Sequence, residues 1–276
     1  MPDVTGLPGD DQAAGLRRLF GARAPQVVAF VSGGGECGRT PLLVRTATAL
    51  AEAGHEVVLV DENAGADSAH SAFGVAPGRD LLELVRDGCA PQRVLRRIAP
   101  RLQLVAASQL AAAAPARATQ WAQDALEALQ AEAAFVIVDC VLRRGDVSPL
   151  ARGARHMAML VAAQGPAITQ AYAFVKKLSR EQSRDAYQVV VTRSRDASEA
   201  RAIFDNLRST AREHLGVRLD FLGECRVPLN DHLADALLSR LPLPGAETGG
   251  IPASTEGGAV PRGRPRRAPG AVESVV

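Results

Sequence analysis

Residues 27–40 read VVAFVSGGGECGRT: an apolar run, a glycine-rich stretch, a basic residue and a threonine. That order predicts a buried strand, a tight turn and the start of a helix. Glycines let such a turn wrap closely around phosphates, and the first N–H groups of the helix point at them. The phosphate-loop pattern G-x-x-x-x-G-K-S/T is met at Gly33, Gly38 and Thr40, with Arg39 in the lysine place. The candidate nucleotide-binding residues are therefore Gly33, Gly34, Gly35, Gly38, Arg39 and Thr40. The alternative is a glycine-rich strand-to-helix turn without a ligand. The sequence of strand, loop and helix favours the phosphate site.

Working outward, Leu43, Ala47, Leu50 and Ala51 recur at helical spacing, and Gly54 is placed to end that helix. Two later apolar runs, HEVVLVD and AAFVIVD, end at Asp61 and Asp139. A carboxylate at the end of a buried strand, with the Thr40 hydroxyl, is the expected setting for Mg²⁺ beside a phosphate loop. It is also a common way for a parallel strand to finish. Further strands are predicted at 101–106, 156–163, 187–192 and 219–224, and helices at 79–86, 116–132, 165–178, 196–214 and 231–240. Alternating strands and helices give an α/β fold class, a mostly parallel, doubly wound sheet with helices on both faces. Ligands then sit at the carboxyl ends of the strands.

Composition agrees. A chain of 276 residues that is 47% hydrophobic can build one such domain, and with 4% aromatics its core is largely Ala, Val and Leu. A net charge of +2 gives no reason to expect a nucleic-acid partner. Cys37, Cys89, Cys140 and Cys225 are scattered, which points to a reducing compartment and no structural zinc. His55, His70, His156, His214 and His232 are isolated, without ligand spacing. Trp121, at helical spacing with Ala125, reads as packing. The N-terminus has acidic residues and no apolar core of signal-peptide length, and no run approaches a spanning helix, so a cytoplasmic place is expected.

Both ends read as separable, giving three segments: 1–24, 25–243 and 244–276. The last is rich in Gly, Pro, Ala and Arg, and a disordered, solvated tail is expected there. In the first, Asp10 is placed to cap a short helix carrying Ala13, Leu16, Leu19 and Phe20 on one side. That apolar face either docks on its own domain or meets a partner.

Together these motifs resemble the ParA/MinD family of deviant-Walker ATPases, whose loop reads S-G-K-G-G-V-G-K-T where this chain has Ser32 to Thr40. Two further matches narrow the resemblance to the flagellar-number regulators FlhG (FleN). The run Asp11-Gln12-Ala13-Ala14-Gly15-Leu16-Arg17 is similar to their DQAxxLR motif. The run from Pro166 to Lys176, PAITQAYAFVK, is similar to their P-x-A-I-T-D-A-Y-A-L-I-K segment. The resemblance implies a MinD-like P-loop fold, ATP with Mg²⁺ as cofactor, and a nucleotide-dependent homodimer. It also implies an FlhF-type signal-recognition GTPase as partner, engaged through Asp11, Gln12, Ala13, Leu16 and Arg17. A Gln amide at position 12 suits the orientation of an attacking water. Flagellar C-ring proteins and a flagellar transcription activator are further implied partners, with a peripheral place at the cell pole or inner membrane.

Against the family pattern, the chain departs at several positions around one site. The signature lysine falls on Gly34, and Arg39 brings a larger planar fork where the loop has a compact ammonium. Glu36 adds a carboxylate; two like charges about 4 Å apart repel by about 1 kcal/mol in water and about 4 at an effective dielectric of 20. The D-x-D segment reads Asp61-Glu62-Asn63, and an amide cannot serve as a carboxylate base. After Asp139 the glycine-containing switch becomes Cys140-Val141-Leu142-Arg143-Arg144-Gly145, and the adenine-side strand end reads Thr192-Arg193. The expectation is a FlhG-like regulator that binds ATP weakly or not at all and hydrolyses it poorly. An active ATP-driven MinD/ParA-type switch in cell or DNA positioning is the competing expectation.

Overall fold

The computed structural model describes residues 25–33, 37–113, 115–182, 184–225 and 233–241. The expected partner helix within 1–24, the loop positions Gly34, Gly35 and Glu36, and the tail 244–276 lie outside the described residues. In chain order the elements are β1 (Gln26–Ser32), α1 (Arg39–Glu52), β2 (Val57–Asp61), α2 (Ala69–Ala72) and α3 (Leu81–Asp87). Then come β3 (Arg96–Ala99), β4 (Leu102–Ala106), α4 (Ser108–Ala111), α5 (Pro115–Glu132), β5 (Phe135–Asp139) and α6 (Pro149–Gly153). The last are β6 (His156–Ala162), α7 (Gly165–Gln182), β7 (Ala186–Thr192), α8 (Ala197–Leu215), β8 (Arg218–Cys225) and α9 (Leu233–Arg240).

The strands form one sheet in the order β3-β4-β2-β5-β1-β6-β7-β8. All neighbours are parallel except β3 and β4. Strands β1, β2 and β5 are buried along their whole length, as expected of a sheet covered on both faces. Successive side chains of β1 divide between two cores. Val27, Ala29 and Val31 pack with Leu126, Leu150, Phe174 and Phe204 on one face. Val28 and Phe30 pack with Leu43, Leu50, Leu233 and Leu237 on the other.

Strand order reverses at β1, which lies between β5 and β6, so the crevice above its carboxyl end is where a ligand is expected. The register places Asp61 opposite Asp139 across β2 and β5. Both strand-end carboxylates therefore stand beside the β1–α1 turn.

Sequence reading misses β3. Its RRIA run is exposed at both arginines, and it returns to β4 through Pro100 and Arg101, the latter at φ 63°. Charged residues on an edge strand hide the apolar alternation and also protect the edge from pairing with another chain.

Candidate phosphate site

Two glycines of the loop have backbone reasons to be glycine. A Cβ on Gly33 would stand 3.0 Å from Phe174 Cβ and 3.2 Å from the Gln170 carbonyl oxygen on α7. Gly38 adopts φ 71° as it caps α1, a conformation costly for other residues. No side chain caps this helix, and no acidic residue sits in its first turn. Pro41, in the third helical position, has no N–H, and the Leu42 N–H already bonds the Gly38 carbonyl. Arg39 and Thr40 are left as the first-turn amides able to face an anion. The loss at Pro41 was visible directly after Thr40 in the sequence, and the motif pattern, which ends at the threonine, passes over it.

Arg39 does not reach outward. Its Nε donates to Asp139 Oδ1 in a short, largely buried ion pair, and the Thr40 hydroxyl donates to Asp139 Oδ2 at 2.5 Å. Asp139 is 0% exposed. Burial by itself would push the Arg39 guanidinium down; the charge and hydrogen bond of Asp139 outweigh it and hold Arg39 above its usual value. A divalent cation about 4 Å from that guanidinium would be repelled by about 8 kcal/mol at an effective dielectric of 20.

Asp61 is also engaged. Its Oδ1 accepts from the Asn63 backbone N–H at 3.0 Å, and its Oδ2 from the His70 backbone N–H at 3.0 Å. The His70 ring Nδ1 stands 2.8 Å from the same oxygen. His70, isolated in the sequence, is thus a partner of Asp61 nine residues away. The Asn63 Oδ1 accepts from the Gly65 N–H at 2.9 Å, so the amide shapes its own turn.

Sequence reading gave Glu62 no role. Its side chain, 1% exposed, accepts a short hydrogen bond from the Ser148 hydroxyl and one at 3.0 Å from the Val141 N–H. Burial raises its pKa to about 7 against the pull of those donors. Burial also pushes the Cys140 thiol up, with Glu62 adding to it. The segment between Val141 and Ser148 is held elsewhere too. Arg143 and Asp146 exchange backbone hydrogen bonds at 2.9 and 3.0 Å around Arg144 (φ 54°) and Gly145 (φ 79°). The Arg143 guanidinium donates to the Ser108 carbonyl, and Lys177 Nζ to the Gly145 carbonyl at 2.9 Å.

Above the loop lies a cavity of about 620 Å³, walled in part by Ser32, Gly38, Thr40, Asn63, Ser68 and Arg193. Arg193 follows β7 with φ 59°. On either side of it, Thr192 Oγ1 and Ser194 Oγ are buried without a hydrogen-bond partner among the described residues. A strained arginine between two unsatisfied hydroxyls is the kind of local cost that marks a ligand-facing segment.

A model of the CobQ/CobB/MinD/ParA nucleotide binding domain matches residues 28–243. The chain belongs to this family. The antiactivator FleN of Pseudomonas aeruginosa is 28% identical over 218 residues, covering 75% of this chain and 76% of that protein. The Aquifex aeolicus cell division protein MinD superposes with a TM-score of 0.55 at 18% identity, over 73% of this chain and 81% of the other. An ATP complex of Cyanothece McdA gives 0.55 at 17% identity, over 80% and 92%. The Pyrococcus horikoshii MinD complexed with Mg-ADP gives 0.53 at 13% identity, over 73% and 81%. At these identities the structural likeness shows the fold.

In this CobQ/CobB/MinD/ParA member Gly38, Arg39 and Thr40 line the cavity, and Asp61 and Asp139 stand opposite one another at the ends of β2 and β5. The basic loop residue, Arg39, answers a carboxylate of its own chain. Among the described residues, no helix is long and apolar enough to cross a membrane.

Proposed function

We propose that this chain is a FlhG/FleN-like regulator of flagellar number or placement. In this reading it binds Mg²⁺-ATP weakly or not at all, hydrolyses it poorly, and acts on an FlhF-type signal-recognition GTPase through Asp11, Gln12, Ala13, Leu16 and Arg17. The observation that carries the reading is the likeness to FleN along three quarters of both chains, joined to the DQAxxLR-like run ahead of the domain. Weak hydrolysis follows from chemistry. Asn63 offers no carboxylate base, and each 1.36 kcal/mol of lost transition-state stabilisation is about tenfold in rate. Flagellar C-ring proteins and a transcription activator are the further partners, and any place at the cell pole or inner membrane is reached through them.

The test is GTP hydrolysis by an FlhF-type GTPase with and without the full chain. Stimulation that is lost on Gln12→Ala, with the fold intact by circular dichroism, supports the reading. No stimulation, in an assay where the GTPase responds to an established activator, contradicts it.

The second reading, an active ATP-driven MinD/ParA-type switch, draws on the retained Gly38 turn, Thr40 and cavity. It requires nucleotide-dependent dimerisation together with ATP turnover.

A further inference from the structure

The buried Arg39–Asp139 pair raises a question that the family assignment leaves open: what balances charge at the carboxylate beside the loop. Asp139 is fully buried, one oxygen taken by the Arg39 guanidinium and the other by the Thr40 hydroxyl. Both oxygens of Asp61 likewise accept hydrogen bonds, from Asn63 and His70. All four oxygens of the two strand-end carboxylates are therefore engaged with groups of this chain. A divalent cation needs several oxygen ligands, and a guanidinium already paired with one of them competes with it for that oxygen. Arg39 already supplies one positive charge at the place where a metal would supply two.

We infer that the Arg39 guanidinium holds the place of the divalent cation at Asp139, so that this site takes the phosphate chain of a nucleoside di- or triphosphate in its metal-free form. The inference rests on the nucleotide-binding part of the reading above and is independent of the flagellar part. With Asp139 neutralised from inside, its charge does not compete with an anion at the two remaining first-turn amides of α1. Arg39 is spent on Asp139, which leaves Arg193 and a single acid, Asp67, as the other charged groups of the cavity wall among the described residues. Arg193 lines the same cavity in a backbone conformation that only a few per cent of non-glycine residues adopt. A guanidinium there suits bidentate recognition of phosphate oxygens. A metal–nucleotide complex would bring its cation against Arg39, whereas the free nucleotide brings only anionic oxygens.

The experiment is calorimetric titration of the full chain with ADP, once in excess EDTA and once in millimolar Mg²⁺. The expected result is binding in both conditions with affinities within about threefold of each other. Arg39→Lys, which frees Asp139 from the planar fork, is expected to make Mg²⁺ tighten binding by about tenfold or more. Because that variant disturbs a buried pair, Asp139→Asn is measured beside it, with circular dichroism reporting the fold of both. A metal-dependent site loses ADP on Asp139→Asn; a site run by Arg39 keeps its affinity in EDTA within about threefold. Tightening of the wild-type chain by Mg²⁺ beyond that span overturns the inference, as does failure of ADP to bind in either condition. In the last case the GTPase assay with Gln12→Ala still judges the flagellar reading separately.

Discussion

At the scale of single residues, Glu62 gives a pH dependence whose sign can be worked out. Its carboxyl titrates near 4.5 when unfolded and at about 7 when buried. Folding therefore takes up a proton between those values, and the stability associated with Glu62 falls as pH rises through that window. The span corresponds to about 3 kcal/mol. Glu62→Gln cannot ionise. It keeps an acceptor for Ser148 and gives up the one for Val141, at a cost of about 1 kcal/mol. Urea unfolding is expected to show the wild-type chain losing stability from about pH 4.5 to about pH 7, with the Gln variant flatter and more stable at the upper end. Gly33→Ala has a different cause: the new methyl would meet Phe174 and the Gln170 carbonyl, so α7 must shift. A loss of about 1–3 kcal/mol is expected, read as a lower midpoint in thermal melting.

Residue-level legibility followed the same division. The glycines, Arg39, Thr40 and the two aspartates stand out in a linear pattern because local geometry needs them there. The direction Arg39 takes, and the roles of Glu62 and His70, depend on contacts that close only in the fold. Ser148 is 86 residues from Glu62 and Asp139 is 100 from Arg39. Periodicity carries no trace of such pairings.

Among the elements, Asp80 does the most for its size. It caps α3 in a reciprocal box with Glu83 and also accepts from the Gln109 and Leu110 N–H groups that open α4. Asp80→Ala removes a cap and strands those amides, an expected loss of about 2–3 kcal/mol with faster amide exchange at 82 and 109–110. The segment 141–148 is fastened by Glu62, Ser108 and Lys177. Its amide exchange is therefore expected to be the same with and without ADP; a change confined to that segment would show that it responds to nucleotide after all. Long apolar strands and amphipathic helices were read from the sequence to within a few residues, as with α8 and β6. Short pieces such as β3, α2, α4 and α6 were missed, because four or five residues hold too little periodicity and their form is set by what they pack against.

For the molecule as a whole, the alternation of apolar strands and helices specified a parallel α/β sheet. The order of strands, with the crossing point at β1, emerged only with the structure. That order brings Asp61 and Asp139 together at the strand ends beside the β1–α1 turn, so residues far apart in the sequence meet at one place. The fold is that of the family, and under the proposed reading Asn63 offers no carboxylate base while Arg39 is held by Asp139. The most direct measurement is single-turnover hydrolysis of ATP by the full chain in Mg²⁺. The account predicts no product above the protein-free control over a time in which an active family member converts its bound ATP. Hydrolysis at the rate of such a member would contradict it and favour the ATP-driven switch.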